Sequence, residues 1–304
     1  MKWKKKGQIL STEGQAKWNV SHGMCPTADN IEGDIFRIYY SGRDNLNRSL
    51  VGYVDIDINN PEKILCISEE PVLGLGELGT FDDNGVTPIW IINHDNKKYL
   101  YYVGWNLGST VRMAEMSGLA ISEDKGESFK RASRAPILGR TDREPLTIIC
   151  APCVMKDEHD WKMWYVSGEE WVHKNLIKYN IKYAYSKDGI KWDRDGQVCI
   201  GFNKNEYAFA RPSVLKEDGI YKMWFSFKNG LEDYRYQMGY AESKDGIDWV
   251  RKDEMNNIVK SESGWDSEMV CYPYVFNHKE KKYMLYNGNG YGKSGFGIAV
   301  LENE

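Results

Sequence analysis

Apolar and polar side chains alternate along this chain with a period of two. Segments beginning at Ile35 (IFRIYYSG), Tyr99 (YLYYVG), Trp161 (WKMWYVSG), Tyr221 (YKMWFSF) and Lys282 (KYMLYNG) are aromatic-rich and end in small or polar residues. This pattern predicts strands packed on both faces. Each follows a proline-led apolar segment, at Pro26, Pro88, Pro152, Pro212 and Pro273, so the unit recurs roughly every sixty residues. A third strand ends in a turn signature, as in LAISEDKGESF from Leu119, YAYSKDGIKW from Tyr183 and YAESKDGIDW from Tyr240. Asp188-Gly189 and Asp245-Gly246 favour a tight turn because glycine accepts positive φ. No long apolar stripe of helical period competes with this reading.

The ends of the chain complete the pattern. KWKKKGQIL (2–10) matches KWDRDGQVC (191–199), with Trp3 on Trp192 and Gln8 on Gln197, so the chain begins with a fourth strand. GFGIAVLE (295–302) reads as a third strand with none after it. The expectation is an all-β, five-bladed β-propeller occupying 1–304 as one domain. Each blade has four antiparallel strands, and the ring closes where the N-terminal strand pairs with the C-terminal blade. The composition fits: aromatics are 13%, with 20 Tyr and 11 Trp. Mean hydropathy is −0.59 and no run is long enough for a membrane span. The N-terminal lysines precede no apolar stretch, so they read as a soluble edge strand and not a leader. Six cysteines without framework spacing read as free thiols in a cytoplasmic protein. Cys150 and Cys153 have C-x-x-C spacing, but on a strand their side chains diverge.

Strand order sends the segment before each proline and the loop after each aromatic strand to one end of the ring. That end collects His22 and Arg43; Asp83, Trp105, Arg112 and Glu115; Arg143, Glu144, Trp171 and His173; Glu206, Arg211 and Lys228; and Glu268 and Tyr291. The opposite end takes polar turns, Asn93-His94-Asp95, Glu158-His159-Asp160 and Asn277-His278-Lys279. Acids just before axial strands crowd a funnel mouth, where charge is costly unless paired or used.

The blade count, the S-K-D-G-x-x-W turn and the aromatic second strand make the chain similar to the five-bladed propeller glycoside hydrolases, of arabinanase and β-xylosidase, invertase and levansucrase, and mannoside phosphorylase types. The resemblance implies cleavage of a small glycoside by carboxyl acid–base chemistry. FDDNGVTP (81–88) and WDSEMVCYP (265–273) then supply Asp83 as base and Glu268 as general acid in an inverting reaction, with Glu144 and Glu206 in reserve. The first blade departs from the family pattern: WNVSHGMCP (18–26) carries Ser21 and His22 and no carboxylate. That departure leaves a non-catalytic sugar-binding propeller, or a glycoside phosphorylase, as alternatives. His22, Arg43, Trp105, Arg112, Arg143, Trp171, His173, Arg211 and Tyr291 are the expected substrate-binding residues. The cluster of cations suggests an anionic ligand such as a sugar phosphate or nucleotide-sugar. With net charge −4 and no basic tract beyond the first six residues, nucleic acid and membrane are not expected as partners. No cofactor is expected, and a structural Ca²⁺ on the axis has no ligand spacing behind it.

Overall fold

The computed structural model describes residues 1–12, 16–157 and 160–303. Every long element is a strand. β1 (Lys2–Leu10) stands alone at the start. The rest follow in sets: β2 (Ser21–Glu32), β3 (Ile35–Arg43), β4 (Ser49–Asp57) and β5 (Ile64–Ile67); β6 (Val86–His94), β7 (Lys97–Leu107), β8 (Met113–Ser122) and β9 (Lys130–Arg131). Next come β10 (Ile148–Lys156), β11 (Trp161–His173), β12 (Leu176–Ser186) and β13 (Val198–Ile200), then β14 (Glu206–Glu217), β15 (Ile220–Asn229), β16 (Gln237–Ser243) and β17 (Val250–Arg251). The last set is β18 (Cys271–His278), β19 (Lys281–Asn287) and β20 (Phe296–Asn303). Within each set neighbours pair antiparallel, and β1 adds to β20 with Trp3 opposite Leu301 and Gly7 opposite Ile298. Short parallel bridges, Ile148 to Glu115 and Tyr179 to Ala208, fuse the middle three sets. The leading strands touch in cyclic order: β2 meets β6, then β10, β14 and β18, which returns to β2. The trailing strands β5, β9, β13 and β17 span only two to four residues, whereas β1 spans nine.

The turn signature joins one set to the next. Ser186 Oγ accepts the Gly189 N–H, and Ser243 Oγ that of Gly246, each glycine at positive φ. The carbonyl of the turn glycine accepts from an aromatic residue of the preceding set: Tyr39 to Gly126, Tyr101 to Gly189, Trp164 to Gly246. Trp224 holds the same place in its strand, but among the described residues the last set has no such turn, and the Trp224 indole N–H is buried without a partner there. The corresponding residue of the last set is Leu285, with no polar atom to satisfy.

Each leading strand is interrupted at its proline. The antiparallel ladders skip between Met24 and Thr27, Pro88 and Trp90, Cys150 and Cys153, Ala210 and Ser213, and Cys271 and Tyr274. Proline has no N–H to give the ladder, so a bulge is its natural place in a paired strand. In four sets the preceding residue takes positive φ: Cys25, Ala151, Arg211 and Tyr272. Such backbone costs on the order of 1–3 kcal/mol per residue and persists where packing over-determines it.

Candidate functional site

The five residues immediately before these prolines, Cys25, Thr87, Ala151, Arg211 and Tyr272, all line one cavity of about 200 Å³. Cys25, Ala151, Arg211 and Tyr272 stand in the bulges at positive φ, whereas Thr87 keeps its ladder pairing with Val103. The starts of β8 and the ends of β7 and β15 complete the wall.

Glu115 is the sole carboxyl among the described residues lining this cavity. It sits opposite Trp105 on β7, and its N–H donates to the Thr147 carbonyl at 2.8 Å, so β8 carries it to the edge of the next set. The Cys150 thiol donates to Glu115 Oε2 at 3.3 Å. Burial raises the Glu115 carboxyl to about 7, despite the charges of Arg112 and Lys228 nearby, which act the other way. Lys228, at the end of β15, donates to the Tyr291 hydroxyl at 3.1 Å, with its ammonium 4.5 Å from the Tyr236 ring centre and 5.1 Å from that of Tyr291. Burial lowers it to about 8. Arg43 donates to Asn47 Oδ1 at 2.9 Å and reaches Met24 Sδ at 3.5 Å. Burial, with Arg112 adding to it, lowers its pKa. Among the described residues, no carboxylate forms an ion pair with Arg43, Arg112 or Lys228. Beneath them Arg211 is fully buried; its Nη atoms donate to the carbonyls of Tyr272 (3.0 Å) and Pro26 (2.6 Å) and to Thr27 Oγ1 (3.1 Å), tying three leading strands together. Tyr179, Tyr236, Tyr272 and Tyr291 form an aromatic side, with Tyr236 and Tyr272 ring centres 5.3 Å apart.

Of the expected binding residues, Arg43, Trp105, Arg112, Arg211 and Tyr291 line the cavity. Trp105 Nε1 donates to Thr87 Oγ1 at 3.0 Å. His22 lies outside the lining, bonded to Ser21 Oγ at 2.9 Å; burial, with Arg43 and Lys293, lowers its pKa to about 4. Trp171 packs on the apolar cluster around the cavity. His173 is exposed at the β11–β12 turn, where the next carbonyl, of Lys174, accepts the Arg112 N–H at 2.9 Å. Arg143 is exposed and donates to the Asp195 carbonyl at 3.2 Å.

The four expected acids lie outside the lining, and a repeated contact accounts for two of them. At or just before the start of each of the last four leading strands, an acid with a buried side chain meets a base from the end of the same set, or from β1 for the last set, above the aromatic second strand. Asp82 pairs with Arg131 at 2.7 Å and accepts from Tyr102; Glu144 pairs with Arg194 and accepts from Tyr165; Asp266 pairs with Lys5 at 2.6 Å and accepts from Tyr286. Glu206 pairs with Arg251 at 2.5 Å, the guanidinium lying over Phe225. Asp83 is held between its own loop and the end of β7, accepting from Gly79 N at 2.9 Å and Asn106 Nδ2 at 2.6 Å. Glu268 is exposed, its N–H donating to Asn289 Oδ1 at 2.7 Å. The polar turns at His94 and His278 close the far ends of β6 and β18; Glu158 and His159 lie outside the described residues. Sequence reasoning placed Glu115 and Lys228 at this end without giving Glu115 a catalytic part, and left out the wall of Tyr179, Tyr236 and Tyr272. The overlooked signal is the residue before each proline.

No protein-family model matches the sequence. Among solved structures, a glycoside hydrolase aligns over 99% of this chain and 92% of its own, at 16% identity and TM-score 0.75. A member of the GH130 family of mannoside phosphorylases aligns over 98% and 93%, at 15% identity and TM-score 0.73. These likenesses give the fold, that of propeller-type glycoside hydrolases. A 1,2-β-oligomannan phosphorylase of Thermoanaerobacter is 32% identical over 112 residues, which is 35% of this chain and 38% of that one. Two Mycobacterium tuberculosis sequences, the uncharacterized proteins MT1551 and Rv1502, are 41% identical over 305 residues, covering the whole of both chains. The chain therefore belongs to the family of M. tuberculosis MT1551 and Rv1502.

Proposed function

We propose that this protein is a cytoplasmic five-bladed propeller enzyme that cleaves a small glycoside by phosphorolysis, with Glu115 as general acid. The observation that carries the reading is the cavity's inventory: one carboxyl beside Arg43, Arg112 and Lys228, none of them neutralised by an acid. Glycoside cleavage needs a proton on the leaving oxygen and a nucleophile at the anomeric carbon. One carboxyl supplies the first, and a neutral acid near pH 7 is suited to it. The second can be inorganic phosphate, which a guanidinium and ammonium cluster binds well. In the step proposed, the glycosidic C–O bond breaks as Glu115 protonates the departing oxygen. A phosphate oxygen bonds to the anomeric carbon, and the proton released by the phosphate restores Glu115. We give the acid role to Glu115 in place of Asp83 or Glu268 because it shares the cavity with the cations. The name of the partial relative, an oligomannan phosphorylase, favours the same chemistry. Six free cysteines support the cytoplasm, and the cyclic contacts of the leading strands support a closed ring.

The test is a panel of aryl glycosides and short oligosaccharides with and without inorganic phosphate, followed by phosphorus NMR. A glycosyl phosphate formed only with phosphate, and lost by at least about 100-fold in Glu115→Gln, is the expected result. Phosphate-independent hydrolysis, or a Glu115→Gln variant as active as wild type, overturns it.

A further inference from the structure

We propose that Cys150 is a positioning residue for Glu115: its thiol holds Oε2 as a hydrogen-bond acceptor and leaves Oε1 as the oxygen that carries the transferable proton. The inference rests on the reading of Glu115 as the acid. Its geometry is independent of that reading. A carboxylic acid has one oxygen that carries hydrogen and one that accepts, and a fixed donor decides which is which. The donor here is fixed twice. Cys150 lies beside the Ala151-Pro152 bulge, where the backbone is held at positive φ, and Ile148 and Glu115 are joined by the bridge between β10 and β8. Carboxyl and thiol therefore ride on two strands registered against each other. Among the described residues, Oε1 has no protein partner, and it belongs to a side chain that lines the cavity.

A thiol is a weak donor, which suits the task. A strong donor would stabilise the carboxylate and drain the acid at neutral pH; no donor would leave the carboxyl free to turn. Burial keeps the thiol itself protonated, so it remains a donor across the working range.

Two substitutions move the system in opposite directions. Cys150→Ala removes the donor: the alkaline limb of kcat rises by about half a pH unit, and plateau kcat falls by about three- to tenfold with KM nearly unchanged. Cys150→Ser supplies a stronger donor: the limb moves down and most of the plateau is kept. Infrared difference titration of the resting protein, wild type against Glu115→Gln, reads the carboxyl directly and needs no turnover. The S–H stretch of Cys150 is expected to shift in Glu115→Ala. If the alanine and serine variants titrate like wild type and the S–H band ignores Glu115→Ala, the inference is overturned. If the infrared shifts appear but no glycoside is cleaved, the positioning holds and the reading of Glu115 as acid fails. Should Cys150→Ala not fold, the serine variant alone decides the direction.

Discussion

Glu115 and Lys228 set the expected pH behaviour of the site. In the proposed phosphorolysis the acid must be protonated, and burial raises it to about 7; the ammonium must be charged, and burial lowers it to about 8. Turnover should be flat on the acid side of neutrality, fall above pH 7 as Glu115 ionises, and fall more steeply above 8 as Lys228 loses its charge, measured as kcat/KM across a buffer series. His22 makes a separate prediction about stability. Its pKa in the fold is about 4, below the usual value near 6.5, so folding favours the neutral ring. Its contribution is intact above 6.5 and is lost as pH falls toward 4, because only the unfolded chain takes up the proton readily. His22→Asn, which also suits the positive φ there, should remove up to about 1.4 kcal/mol per pH unit of acid destabilisation in urea titrations between pH 6.5 and 4. Indistinguishable slopes in the two proteins would count against the half-buried neutral ring.

At the scale of the strand, much of the architecture was legible. The aromatic second strands emerge as β3, β7, β11, β15 and β19 because period-two alternation and proline spacing are local signals. The site was legible less far. An acid a few residues before a leading strand looks the same in sequence whether it faces a ligand or a buried base, and Glu144 and Glu206 do the latter. Their partners, Arg194 and Arg251, come from the end of the same unit, a pairing that only folding reveals. Arg194→Ala should leave Glu144 with the Tyr165 hydroxyl and, as its remaining cation among the described residues, Lys182 at a remote 3.9 Å, and cost about 3–5 kcal/mol in unfolding free energy. An exposed pair such as Lys187 with Asp160 should cost less than about 1 kcal/mol when broken. The turn contacts allow a finer comparison. Trp164→Phe loses the bond to the Gly246 carbonyl, whereas Trp224→Phe removes a donor that has no partner. The first should be more destabilising by about 1 kcal/mol or more in matched denaturant curves.

The whole molecule is acidic, yet its cavity gathers cations around one carboxyl; net charge says little about a site that the fold assembles from five separated segments. The meeting of the chain's ends is the global feature that sequence did disclose, because KWKKKGQIL copies an internal strand whose place in its unit is known. Its energetic weight can be tested. β1 buries Trp3 edge-on against Trp224, with ring centres 6.2 Å apart, and brings Lys5 to Asp266, a buried carboxylate that also accepts from the Tyr286 hydroxyl, while Ser261 Oγ accepts from the same lysine. Removing residues 2–10 would expose the edge of β20 and leave Asp266 without its cation, a loss larger than either contact alone. Lys5→Met separates the two effects. It keeps the strand and much of its apolar length but orphans the carboxylate, so it should lower stability by about 3 kcal/mol while preserving one cooperative transition. The deletion should instead broaden or split the transition, because the set built on β18 to β20 then unfolds apart from the rest. A deletion variant that melts in a single sharp step at the wild-type temperature would mean that the pairing of the two ends contributes little to holding the molecule together.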